Sequence, residues 1–170
     1  MVLWIFGYGS LVWQAGFDYD ERVIGFIKGY ERVFHQGSTD HRGTRERPGR
    51  AVTIEPQEGT VCYLDIREKQ YDIKAYVDLY TDDASALPTI CGVLVYIASP
   101  DKIKNRNYLG PAPLDQMANQ IAKAIGPSGP NYEYLFRLEE ALQDIGHADE
   151  GIIKLANEVR KLLAESNGSI

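Results

Sequence analysis

The spacing of apolar positions changes part-way along the chain, from the alternation of strands to the period of helices. Trp4-Ile5-Phe6 reads as a short buried strand running straight into Gly7-Tyr8-Gly9-Ser10-Leu11. Arg22–Ile27 and Tyr30–Phe34 alternate partially and are rich in aromatic and β-branched residues, which predicts two further strands. Gln36-Gly37-Ser38-Thr39-Asp40 breaks the pattern, and a polar loop carrying Arg42, Arg45 and Arg47 runs on to Arg50. Ala51–Ile54 is a fourth strand, closed by Glu55-Pro56-Gln57-Glu58-Gly59. Lys74–Tyr80 alternates well, and the unbroken apolar run Cys91–Ile97 has the character of a buried central strand.

Beyond Gly110-Pro111-Ala112-Pro113, a helix-entry segment, the period becomes helical. Leu114, Met117, Ile121, Ala124 and Ile125 share one face of a first helix, which Gly126-Pro127-Ser128-Gly129-Pro130 stops. Tyr134, Leu135, Leu138 and Leu142 mark a second, with Asn131 as its expected N-cap. Ile152, Leu155, Val159 and Leu162 mark a third, from Asp149 to Leu163. Strands first and helices later predict an α+β fold, with a mixed or antiparallel sheet curled around a site and the helices concentrated in the C-terminal half. Without a linker, repeat or low-complexity stretch, residues 1–170 read as a single domain.

Composition narrows the function classes. A net charge of −6 argues against general nucleic-acid or membrane-surface binding, though not against a local basic patch. No apolar segment approaches bilayer-spanning length, and the N-terminal run lacks a basic leader and a cleavage site, so a cytoplasmic protein is expected. Cys62 and Cys91 have no zinc or CxxC spacing and read as reduced core residues. His35 and His147 have no partner at ligand spacing, which leaves no metal site to assign.

Four segments carry candidate chemistry. A strand ending in Gly-Tyr-Gly-Ser leaves consecutive N–H groups free for a carboxylate or carbonyl oxygen, unless it is simply a glycine-rich hairpin turn. Gln36–Gly43 gathers hydroxyl, carboxylate, imidazole and guanidinium groups between glycines, as a site or as a plain surface loop. Its arginine run lacks aromatics spaced for base stacking, and Arg50, at a strand start, is the arginine placed nearest a site. Arg67-Glu68-Lys69 offers a carboxylate, but spacing alone reads Glu68 as a surface helical charge. Tyr132 or Tyr134 could present a hydroxyl to a ligand from the start of the second helix.

Phe6-Gly7-Tyr8-Gly9-Ser10-Leu11, Gln36-Gly37-Ser38-Thr39-Asp40-His41-Arg42-Gly43, Pro48-Gly49-Arg50, Arg67-Glu68-Lys69, Asn107-Tyr108-Leu109-Gly110-Pro111 and Gly126-Pro127-Ser128-Gly129 occur in this order. Together they resemble the ChaC family of glutathione-specific γ-glutamylcyclotransferases, its plant members above all. The resemblance covers nearly the whole chain. It implies a small, closed or nearly closed mixed β-barrel flanked by helices, with the site at the barrel mouth. It implies a lyase that cleaves glutathione to 5-oxoproline and cysteinylglycine without metal or organic cofactor, in the cytosol and as a monomer. By position, Tyr8, Gly9, Ser10 and Leu11 correspond to the loop that holds the γ-glutamyl group. Glu68 corresponds to the catalytic acid/base, and Tyr134 to a tyrosine that reaches the substrate. The two carboxylates of glutathione give Arg50 or Arg42 a ligand.

The chain departs from the family pattern in one place. The strand that begins at Val61-Cys62 is normally longer and is followed by a loop before the helix containing Tyr63-Leu64; here Cys62 joins Tyr63 directly. Such a shortening is expected to remove a sheet strand just ahead of Glu68. Two other readings are therefore carried: a cyclotransferase for other γ-glutamyl amino acids or amines, and a glutathione-binding variant without turnover.

Overall fold

The computed structural model describes residues 3–64 and 73–167. In chain order the elements are β1 (Ile5–Phe6), β2 (Gly25–Ser38), β3 (Gly49–Leu64), β4 (Ile73–Leu79), β5 (Ile90–Ile97), α1 (Leu114–Lys123), β6 (Ile125–Gly126), β7 (Gly129–Pro130), α2 (Asn131–Asp144) and α3 (Glu150–Asn167). The fold is α+β, with its three α-helices in the C-terminal half. Two compact units are distinguished, Met1–Val33 with Val52–Arg106 and Phe34–Ala51 with Asn107–Ile170.

The first unit is built on a sheet of order β1-β5-β4, with β5 parallel to β1 and antiparallel to β4. The apolar run of β5 follows from this central place: Val93, Leu94 and Val95 are buried. Its first residues lie outside the packed part, and Cys91 is exposed, which corrects the expectation that both cysteines are core residues. Cys62 is buried as expected. β2 joins β4 through one bridge, Phe26 with Tyr80, whose amides each donate to the other's carbonyl at 2.8 and 2.9 Å. Gly25 permits that approach, since a Cβ there would sit 2.7 Å from the Tyr80 carbonyl oxygen.

β2 and β3 pair as a two-stranded ladder, and both are longer than the sequence pattern predicts. β2 absorbs both expected strands, with Gly29 passing through a positive φ of 80° at the former break. β3 runs through the expected Glu55–Gly59 turn, with Gly59 at φ 77°. Pro56 lies within β3, whose only paired strand among the described residues is β2. β3 also carries Tyr63 and Leu64, which the resemblance had placed in a helix. No closed barrel is found among the described residues, whose strands form one three-stranded sheet and two two-stranded ladders.

In the second unit α1, α2 and α3 pack on one another, burying Ile121, Leu135, Leu138, Leu142, Leu155 and Val159. Ile125 departs from the expected apolar face. α1 ends at Lys123, and Ile125 starts a tight β6–β7 hairpin with its side chain exposed. Asp149 caps α3, accepting the Ile152 amide on its side chain at 3.1 Å.

Candidate functional site

The Tyr8–Leu11 segment belongs to the first unit. It folds into a 3-10 turn over Ser10–Val12, closed by the Val12 amide donating to the Gly9 carbonyl at 3.1 Å. Gly9 has φ −124°, and neither Gly7 nor Gly9 is among the glycines with positive φ, so the turn does not depend on left-handed backbone. Its first amides point out of the turn. Among the described residues the N–H groups of Gly9 and Leu11 have no hydrogen-bond acceptor. Tyr8 anchors the segment: its ring is fully buried, its hydroxyl donates to the Tyr96 carbonyl at 2.6 Å, and its carbonyl accepts from Arg32 Nε at 3.1 Å. The side chain of Tyr8 is thus committed to the core, and what the turn has left for a ligand is backbone N–H.

Arg50 and Tyr134 belong to the second unit. Arg50 is the second residue of β3 and is buried, at 5% exposure. Nε donates to Gln120 Oε1 at 2.7 Å, and Nη1 donates to the Phe34 and Gly110 carbonyls at 2.8 and 2.9 Å. All three acceptors are neutral. Nη2 has no acceptor, and the guanidinium has no carboxylate partner among the described residues. Burial draws its pKa below the ordinary arginine value, yet a guanidinium stays charged at neutral pH. A buried cation ordinarily has an anion beside it, and Arg50 has none among the described residues.

Arg42 differs on this point. Its Nη1 donates to the Pro130 carbonyl at 3.1 Å and to Glu133 Oε2 at 3.4 Å, so its charge is already matched. Of the two arginines the sequence left open, Arg50 alone has uncompensated charge.

The backbone of Arg50 is fixed by Asn131, in the first turn of α2. Asn131 Nδ2 donates to the Arg50 carbonyl at 2.8 Å and Oδ1 accepts the Arg50 amide at 2.7 Å. This corrects the expected N-cap role: Pro130 occupies the cap, and the fully buried Asn131 acts as a surrogate strand neighbour. Asn131→Ala would strand a buried N–H and a buried C=O, each worth roughly 1–3 kcal/mol. We expect a loss of about 3 kcal/mol, read by urea unfolding. Tyr134, three residues on, is buried and meets the Phe34 ring edge-on at 6.0 Å between centroids. Phe34 and Asn131 therefore link Tyr134 to the Arg50 clamp.

The Gln36–Gly43 loop is docked rather than free. Ser38 Oγ accepts the Arg42 amide at 2.9 Å, and the His41 carbonyl accepts the Ser128 amide at 2.9 Å. His41 Nδ1 lies 3.3 Å from Ser128 Oγ, a structural role for this exposed imidazole. Glycines make the docking possible: a Cβ on Gly126 would overlap the His41 carbonyl oxygen and the Gly43 amide, and one on Gly49 would overlap the Arg42 carbonyl. Arg45 and Arg47 remain exposed.

Glu68, with Arg67 and Lys69, lies outside the described residues. Sequence reasoning also missed Gln120, a polar residue next to the buried Ile121 on α1, which bridges Arg50 Nε and the Pro48 carbonyl at 2.7 Å each. Apolar periodicity carries no signal for such a residue.

The α+β fold thus offers an amide-lined turn in its first unit and, in its second, a buried arginine without a carboxylate partner among the described residues. Comparison with known proteins identifies it further. The ChaC-like protein family model matches residues 3–162, and the chain belongs to that family. It is 55% identical to gamma-glutamylcyclotransferase 2-3 of Arabidopsis thaliana, over 98% of this chain and 92% of that one. It is 40% identical to the human glutathione-specific gamma-glutamylcyclotransferase 1, over 95% of this chain and 80% of that one. The crystal structure of a yeast γ-glutamyl cyclotransferase specific to glutathione superposes with a TM-score of 0.79 at 27% identity, covering 94% and 98% of the two chains.

Proposed function

We propose that this protein is a γ-glutamylcyclotransferase acting on glutathione, a single catalytic domain in the cytoplasm. The observation that carries the reading is family membership across residues 3–162, which include both compact units. The uncompensated charge of Arg50 supports it by providing for one of the carboxylates of glutathione. The strand order β1-β5-β4, extended to β2 and β3 through the Phe26–Tyr80 bridge, is in keeping with an open form of the barrel implied by resemblance.

In the reaction, the α-amine nitrogen of the γ-glutamyl residue attacks that residue's own γ-carbonyl carbon. A C–N bond closes the five-membered ring of 5-oxoproline, and the amide bond to the cysteinyl nitrogen breaks. One proton leaves the attacking nitrogen and one arrives on the departing nitrogen, so cysteinylglycine leaves as a free amine. The nucleophile is intramolecular, and the enzyme's gain comes from holding the folded conformer. Glu68 is assigned the proton transfer in both directions, a role that favours a carboxylate whose pKa is raised toward the working pH. The Tyr8–Leu11 turn is assigned the γ-glutamyl end: the Gly9 and Leu11 amides suit its α-carboxylate or the developing oxyanion. Tyr134 is assigned a substrate contact from α2. Incubation with reduced glutathione should release 5-oxoproline and cysteinylglycine in equal amounts. Turnover of γ-glutamyl amino acids or γ-glutamylamines in preference to glutathione would move the substrate assignment to those compounds.

A second reading, glutathione binding without turnover, is favoured by one observation. The alignment to the Arabidopsis relative spans 184 positions, against 170 residues in this chain, so that relative carries more than a dozen positions missing here. The direct Cys62–Tyr63 junction, where this sequence departs from the family pattern, precedes Glu68. Calorimetric binding of glutathione with no product formed would decide for this reading.

A further inference from the structure

The Gly9 and Leu11 amides, which lack acceptors among the described residues, belong to two peptide groups whose carbonyls are held differently. The carbonyl of the Ser10–Leu11 group accepts the Gln14 and Trp13 amides at 2.9 and 3.3 Å. That of the Tyr8–Gly9 group accepts Nε of Arg32, a half-buried side chain of β2, at 3.1 Å. All of these residues lie in the first unit. The C=O and N–H of a trans peptide group point in opposite directions, so whatever holds the oxygen also sets the aim of the N–H. A guanidinium on the oxygen also draws electron density through the conjugated amide, which strengthens its N–H as a donor. Arg22 provides a contrast on the same turn. Its Nη2 donates to the Val12 carbonyl at 3.2 Å, but the N–H of that peptide group, on Trp13, is already spent on the Ser10 carbonyl. Arg32, unlike Arg22, stands behind an N–H that is open to a ligand.

We propose that Arg32 is a positioning residue, which aims and polarises the Gly9 N–H toward an anionic oxygen of the γ-glutamyl group, its α-carboxylate or the oxyanion of ring closure. This role rests on the cyclotransferase reading above, in which the Tyr8–Leu11 turn holds the γ-glutamyl end. Arg32 acts through one peptide group rather than on the substrate itself, so its removal should weaken Gly9 and spare Leu11. The two oxygens differ in when they carry charge. A carboxylate is charged before and throughout the reaction, and a weaker Gly9 donor to it raises KM. An oxyanion forms only toward the transition state, and a weaker donor to it lowers kcat.

The test measures kcat and KM of the full chain on glutathione for wild type, Arg32→Met, Arg32→Lys and Arg22→Met, beside the Gly9 and Leu11 amide resonances of each. Spectra are recorded with and without 5-oxoproline, the product, which keeps the α-carboxylate and the lactam oxygen and is not consumed. Arg32→Met should lower kcat/KM by about tenfold or more, the scale of a charge-assisted hydrogen bond. Arg32→Lys, which keeps the charge but not the planar fork, should recover part of the loss. Arg22→Met should stay close to wild type. In wild type 5-oxoproline should move both amide resonances; in Arg32→Met the Gly9 response should shrink while the Leu11 response persists. A kcat/KM of Arg32→Met near that of wild type would overturn the proposal. So would Gly9 and Leu11 responses that fall together, since Arg32 would then brace the turn as a whole. Should the Arg32 variants not fold, wild type gives the readout: a Gly9 resonance that 5-oxoproline leaves unmoved in an active enzyme also overturns it. If wild type forms no 5-oxoproline, the cyclotransferase reading is what has failed. The amide responses of the same proteins to glutathione then test Arg32 by the same pattern.

Discussion

Glu68→Gln is expected to abolish 5-oxoproline formation, lowering kcat by about a thousandfold, while glutathione affinity stays within a few-fold of wild type. A positioned general acid/base contributes roughly 10²–10⁴ in rate. Glutamine preserves the size and polarity of glutamate but can neither accept the proton of the attacking amine nor return one to the leaving nitrogen. On the proposed assignment residues other than Glu68 hold the substrate's carboxylates, so binding and turnover should separate. Calorimetry beside a product assay reads both quantities on one preparation. Near-normal turnover by the variant would remove Glu68 from the mechanism, and a parallel loss of affinity would recast it as a binding residue.

Gly126→Ala should have a large effect on folding. Its Cβ would overlap the His41 carbonyl oxygen and the Gly43 amide, both of them backbone atoms that cannot rotate away. Relief would require moving the Gln36–Gly43 loop off the β6–β7 hairpin, and with it the start of β3 where Arg50 sits. Overpacking of this kind costs about 3 kcal/mol or more, a large share of a typical domain's stability. Gly151→Ala is the matched control. There the new methyl meets only a side-chain oxygen of Asp149 at 3.3 Å, and helix propensity gains up to about 1 kcal/mol. Chemical unfolding of the two variants should place Gly126→Ala far below wild type and Gly151→Ala within about 1 kcal/mol of it.

Much of this was legible in the sequence because one physical signal dominated. β4, β5 and the three helices announce themselves by alternation or by apolar period, and the structure places them within a few residues of expectation. β2 and β3 were misread because Gly29, Pro56 and Gly59 are local turn formers. Cross-strand pairing overrode them, which a single-strand pattern cannot reveal. Arg50 could be singled out from its place at a strand start, but its uncompensated charge could not. That property depends on Gln120, Phe34, Gly110 and Asn131, which are far from it in sequence. Asn131 shows the limit from the other side: the propensity that suggests a helix cap is served equally by a bidentate grip on a neighbouring backbone. Glu68 was chosen by resemblance alone, since nothing in its spacing separates it from a surface charge.

The central claim is that the chain converts glutathione by internal cyclisation. Its most direct test is quantification of both products from reduced glutathione by purified wild-type protein, with Glu68→Gln alongside. Equimolar 5-oxoproline and cysteinylglycine from wild type, with neither from the variant, is the predicted result. Saturable glutathione binding by wild type with no 5-oxoproline released would contradict it.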